Sequence, residues 1–537
     1  MKGAVALSVA TLVTGLWAGG ALAHDEPGAL GQVRFPTSCG ATVQPVFERG
    51  VALLHSFWYE EALKTFTSVT TNEAGCAMGY WGMAMSVYYP LWQPPSEAML
   101  AKGRAALDRA AALNATPREK DYVAALATFY RDADKLDHRT RAVAYEKAME
   151  QLAARYPEDR EASVFYALAL DATAPPTDKT YANQLKAAAI LEKVFAVEPN
   201  HPGVAHYLIH SYDAAPLATR SLTAARSYSK IAPAVPHALH MPSHIFTRLG
   251  LWQESIDSNL ASAEAGKAYV AKQGGTFAWD QSLHAQDYLA YGYLQTGRDV
   301  AARRVVEELS EYRKAEPESL AAAYALAAAP ARYALERRSW SEAAALSMPA
   351  IAFPWARYPW AAAIVAYAHS LGAARTGNVA AAEKDVERLA ALRDTLAQAK
   401  NKYWADQVEV QRRAAAAFVA RAKGDQNEAL TLLRSAAELE STMDKHPVTP
   451  AAVVPARELL ADQLYDMNRP AEALKEYEST LVDEPNRFRS LYGAARAAER
   501  AGDPARAKTY YTSLVNLCGS ADTVRPELRE AKMFLSK

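Results

Sequence analysis

The stretch His201–Trp252, HPGVAHYLIHSYDAAPLATRSLTAARSYSKIAPAVPHALHMPSHIFTRLGLW, decides the fold. It carries His201, His206, His210, His237, His240 and His244, half of the twelve histidines in the chain. Laid over itself at an offset of 34 residues, His206 falls on His240 and His210 on His244. That is the period of a stacked two-helix unit, so two successive repeats present the same histidine pair from the same helical surface.

Between Pro202 and Asp213, Ala205, Leu208, Ile209 and Tyr212 follow i, i+3, i+4, i+7 spacing, the buried stripe of an amphipathic helix. His206, His210 and Asp213 run one residue to the side of it, which places them beside the core rather than within it. The next repeat brings His237, His240 and His244 at i, i+3, i+7. Pro242 interrupts that helix, either starting it afresh or kinking it. The hairpin closed by Gly297 sets His284 and Asp287 in the places that His237 and His240 hold one repeat earlier. His55 ends the first helix and is a further candidate for the same face. His201 reads as a cap or loop group, His369 as a core residue, and His138 and His446 as loop residues.

The repeat pattern extends well beyond this stretch. A turn, an alanine at fixed distance, an aromatic and often a closing proline recur almost to the C-terminus. The clearest copies run through Leu464, Ala473, Tyr477 and Pro485, then Gly502, Ala507 and Tyr511. Weaker ones centre on Gly424 with Ala429, Gly377 with Ala382, Trp340 with Ala343, and Ala62 with Phe66. Small residues let paired helices approach and the aromatic fills the groove beside them. The pattern resembles the tetratricopeptide repeat family, of exported bacterial type. The resemblance implies an all-α fold, a right-handed superhelix (solenoid) of helical hairpins. It also implies that the side chains flanking each first helix's core, His206, His210 and Asp213 among them, face an inner groove.

Basic and acidic residues nearly cancel, with 59 against 60, which gives no support to nucleic-acid binding. Residues 1–23 read as a secretory signal: Lys2, an apolar run, then Ala21-Leu22-Ala23. Cleavage there makes His24 the first residue of a secreted or periplasmic chain, and an N-terminal histidine is itself a minor copper-chelating candidate. No later run is long and apolar enough to span a membrane. Cys39 and Cys76 are candidates for a disulfide in an oxidising compartment, with two buried thiols as the alternative; Cys518 has no evident partner. The expected layout is a signal peptide (1–23), an N-terminal extension (24–45) and an irregular solenoid (46–442) whose histidine-rich repeats occupy 201–290. A linker (443–455) and two regular closing units (456–537) follow. Four insertions break the register: 90–95, 174–177, 272–280 and 352–360.

Imidazole and carboxylate are ligands for a divalent transition metal such as zinc or copper, and two histidines at i, i+4 chelate from one helix. His206, His210, His237, His240, His244, His284, Asp213 and Asp287 form the candidate set, the aspartates either as ligands or as acceptors for the second ring N–H of a ligating histidine. Phosphate-cradling, dinucleotide, zincin and nucleophile-elbow motifs are absent from the sequence. Three readings therefore stand: a binding module with a metal site and a protein or peptide ligand in its groove; a metal-dependent hydrolase with Asp213 or Asp287 as base; and a metal-free envelope scaffold.

Overall fold

A computed structural model describes residues 29–91 and 94–537. The signal-peptide reading of residues 1–23, and His24, lie outside the described residues. Among those described, the chain is all-α apart from a parallel pairing of Ala278–Trp279 with Ala315–Glu316 and a single bridge between Lys314 and Ala352. From Gln44–His55 to Pro526–Leu535, successive helices pack mainly on their neighbours in sequence, as in a stack of helical hairpins. The small-against-aromatic rule holds where the pattern is clearest. A Cβ added to Gly82 would stand 2.3 Å from the Phe66 ring, and one added to Gly493 would stand 2.3 Å from the Tyr477 ring. The N-terminal extension is tied down in two ways. Cys39 and Cys76 are joined in a disulfide, and Glu119 accepts from the Ser38 backbone N–H and hydroxyl, both at 2.6 Å. Cys518 is a buried free thiol.

The stack departs from an open spiral in two places that shape the site. First, helix Gln44–His55 folds back onto helix Pro202–Ser211. Gly203 permits that approach, because a Cβ there would meet His55 Nδ1 at 2.5 Å. Second, the C-terminal hairpins close on the middle of the chain. Arg487 is fully buried and joins Glu458 at 2.8 Å, Glu336 at 2.6 Å and the Tyr291 hydroxyl at 3.0 Å, tying three distant helices. Trp252 Nε1 donates to the Asn486 carbonyl at 2.8 Å.

The segment 443–455, read above as a linker, lies as a strap against the histidine-bearing region, in contact with Asp213, Tyr288 and Arg332. Val448, Thr449 and Ala451 are buried. Tyr288 donates to the Thr449 carbonyl at 3.2 Å, Arg332 to the Ala451 carbonyl at 2.7 Å, and Lys445 pairs with Asp213 at 2.8 Å. The stretch has no helical period, but its Thr449 and Ala451 carbonyls answer the buried donors Tyr288 and Arg332.

Candidate metal centre

Helix Pro202–Ser211 starts on His201, whose ring accepts the Val204 N–H at 3.3 Å as an N-cap. The histidine therefore has the capping role expected of it. At Pro242 the second repeat forms two short helices, Pro236–His240 and Pro242–Arg248, joined through Met241 in right-handed helical conformation. The kink leaves His240 and His244 on one side, their Nε2 atoms 3.0 Å apart. Pro242 thus bends the helix without separating the pair.

Six imidazoles converge in two sets. His206 Nε2 lies 3.0 Å from His210 Nε2 and 3.1 Å from His237 Nε2. His240 and His244 are joined by His284, whose ring centroid lies 4.2 Å from that of His240. In each set, one ring nitrogen per histidine falls within 4.8 Å of the others. The sets adjoin: ring centroids of His237 and His240 are 6.2 Å apart, and those of His210 and His244 are 6.4 Å apart. Each set takes its i, i+4 pair from one repeat and its third member from the next. His237 accordingly belongs with His206 and His210, not with its own helix neighbour His240.

The outward nitrogens settle the protonation state of the inward ones. His206 Nδ1 donates to the His55 carbonyl at 2.7 Å. His244 Nδ1 donates to the Asp213 carboxylate at 3.0 Å. His240 Nδ1 donates to Asn259 Oδ1 at 2.6 Å, and the Asn259 amide is held that way round because its nitrogen donates to the Ser255 carbonyl at 2.7 Å. These partners only accept, so each ring carries its proton on Nδ1 and turns a bare Nε2 inward. His237 Nδ1 lies 3.1 Å from Gln281 Oε1, which supports the same tautomer. Bare lone pairs 3.0 Å apart on His240 and His244 repel one another. A cation between them turns that repulsion into ligation.

A shared proton is a poor candidate for that cation. Burial pushes all six imidazoles below the ordinary histidine range, and their positive potential on one another adds to it in most of them. His237 falls to about 3. Neutral imidazoles of fixed tautomer, with outer acceptors holding the rings, are what a metal site requires.

The two aspartates proposed as ligands lie elsewhere. Asp213 takes the outer-acceptor role: it receives His244 Nδ1, Arg248 Nε at 2.8 Å and Lys445 Nζ at 2.8 Å. Burial alone would raise its carboxyl, but Lys445, Arg248 and His244 together hold it well below the usual range. Asp287 turns away to Arg332 at 2.5 Å, because the buried guanidinium two helices on needs a counter-charge. Neither carboxylate is placed as a general base. The histidines are also not on an open groove wall. His206 and His240 are 0% and 1% exposed, packed against His55 and Phe57 and against Asn259, His284 and Tyr288 respectively.

A third cluster, His55, Glu161 and His201, is internally satisfied. Glu161 bridges His55 Nε2 at 2.8 Å and His201 Nε2 at 3.0 Å, and His55 Nδ1 meets the Tyr207 hydroxyl at 3.0 Å. Its visible task is to hold the His55 backbone under His206. Among the remaining histidines, His369 is half-buried and paired with Asp385, His138 opens helix His138–Arg155, and His446 stacks on Trp404 within the strap.

A cavity of about 530 Å³ opens beside the two sets, with His237, His244 and His284 in its wall. Three of the four insertions build it. Leu91 and Pro94 come from the first, Trp279 from the 272–280 loop, and Tyr358 and Trp360 from the last. Phe57, with φ +54° in the turn after the first helix, lays its ring 4.4 Å from His206. Tyr288 places its hydroxyl 3.3 Å from His244 Nδ1. Sequence reasoning missed Phe57, Tyr288, Asn259 and Lys445; Phe57 and Lys445 reach the site from distant segments, Asn259 from the helix after His244's, and Tyr288 from the helix that carries His284.

No protein-family model matches the chain, and no curated protein matches it. Among solved structures it is similar to a monomeric mutant of IFIT1 with Gppp-AAAA, at 13% identity and a TM-score of 0.36, over 87% of this chain and 95% of that one. Its own fold and site define the class: an all-α helical-repeat protein with two adjoining three-histidine sets buried at one side of an aromatic cavity.

Proposed function

We propose that this chain is an exported metal-binding protein of tetratricopeptide-like fold, in which each three-histidine set holds one transition-metal ion. The observation that carries the reading is the facing of bare Nε2 atoms at 3.0 Å, with the opposite nitrogens fixed by acceptors. Export rests on the signal-like residues 1–23 and agrees with the disulfide joining Cys39 to Cys76. The ligand space is the cavity of about 530 Å³ beside the ions, with His237, His244 and His284 in its wall. Its volume suits a small molecule more than a folded partner.

The test is metal analysis of the mature chain after reconstitution with zinc or copper and removal of loose metal. The expected result is two ions per chain, falling to one in His206→Ala and in His240→Ala and to none in the double variant. Unchanged binding in the double variant, or no retained metal in the folded wild type, defeats the reading.

A further inference from the structure

Building on that two-metal reading, we infer that the ions are copper, held as a cuprous pair that reacts with dioxygen to oxidise a small ortho-diphenol admitted by the cavity. Three observations lead there.

The donor set consists of neutral imidazoles. Hard ions such as magnesium, calcium or manganese ask for oxygen ligands, whereas the grouped ligand atoms of both sets are imidazole nitrogens and the two candidate carboxylates are committed elsewhere, Asp213 to Lys445, Arg248 and His244, and Asp287 to Arg332. Imidazole suits copper and zinc.

Charge separates those two metals. Two divalent ions among six neutral ligands would bring four positive charges into a buried region where Lys445, Arg248 and Arg332 are already matched by Asp213, Asp287 and the nearby Asp444, with Asp280 and Glu60 of the cavity wall to set against them. Uncompensated charge in such surroundings is strongly disfavoured. Two monovalent ions halve the load, and cuprous ion accepts three imidazoles without a fourth ligand. When each copper gives one electron to a dioxygen lying between the sets, the bound molecule becomes a dianion. The added positive charge is then balanced where it arises. The adjoining of the sets, 6.2 Å between the His237 and His240 ring centroids, lets one small molecule touch both ions.

The cavity supplies the reductant. His237, His244 and His284 form part of its wall, with Phe57, Trp279 and Trp360 offering aromatic faces on which a flat ring stacks. The overall step balances. Two diphenols each lose two electrons and two protons to become two quinones. One dioxygen takes the four electrons and four protons, its O–O bond breaks, two waters leave, and both coppers return to the cuprous state.

The folded mature protein is titrated with cuprous ion without oxygen, in competition with bicinchoninate. It is then freed of excess metal and given air and 4-tert-butylcatechol, with quinone absorbance and oxygen uptake followed together. Two coppers per chain should resist the chelator, and two quinones should form per dioxygen. His206→Ala and His240→Ala should each abolish turnover, with His237→Gln replacing either variant if circular dichroism shows it unfolded. Tight binding of two zinc ions, with cuprous ion surrendered to the chelator, overturns the copper assignment and leaves the two-metal reading intact. Two retained coppers without quinone formation overturn the oxidation. Retention of no metal of any kind sinks both readings.

Discussion

His240 donates from Nδ1 to Asn259 Oδ1 at 2.6 Å, while the Asn259 nitrogen is anchored on the Ser255 carbonyl at 2.7 Å. One amide in the following helix thereby sets which nitrogen of His240 faces His244. Replacing Asn259 by Ala removes the acceptor and frees the ring to rotate or change tautomer. Loss of such an outer partner weakens metal affinity by about 10–100-fold. We expect that loss at the His240–His244–His284 set alone, read as one weakened and one unchanged step in a competitive chelator titration. Equal weakening of both steps would mean that Asn259 acts on the fold and not on its own histidine.

Asp213 is the counter-charge for Arg248 and Lys445 and the acceptor for His244. Truncation to Ala strands two cations in a buried site and unpins the strap. Removing one partner of a buried ion pair costs about 3–5 kcal/mol. Asp213→Ala should lower unfolding stability by that amount in urea, and the double variant Asp213→Ala/Lys445→Met should recover part of it. No recovery would mean that the Lys445 contact contributes little.

Asp280 gives a pH dependence of defined sign. Burial, with the negative Glu60 nearby, pushes its carboxyl up to about 7. In the unfolded chain it ionises near the ordinary aspartate value, about 3.9. Between these two values the folded state keeps a proton that the unfolded state has lost. This contribution to stability is therefore fully present at low pH, declines as pH rises through the window at roughly 1.4 kcal/mol per unit, and levels off above about 7. Asp280→Asn should flatten that part of the stability profile between pH 4 and pH 7 in thermal unfolding. An unchanged slope would show that Asp280 stays ionised when folded.

Gly82→Ala tests the packing rule of the repeats. The new methyl would meet Phe66 at 2.3 Å, and the ring, 0% exposed, has little room to yield. Overpacking of this kind costs about 1–3 kcal/mol. Thermal unfolding should show the loss, and Phe66→Leu in the same chain should restore part of it.

The helical repeat and half of the site were legible in the amino-acid order, because both are local. The 34-residue offset that aligns His206 with His240 and His210 with His244 depends only on helical period and repeat length. The i, i+4 spacing brings the members of each pair together, as the Nε2 distances of 3.0 Å show. The assignment of His237, the turning of Asp287 to Arg332, the covering of His206 by Phe57 and the closure by Lys445 and Tyr288 depend on which repeats touch. Gly203 and the Arg487 ion pairs decide those contacts across long stretches of chain. Periodicity says which face a side chain is on. Only the packed chain says what stands opposite, since burial makes each polar group seek a partner wherever the fold has brought one.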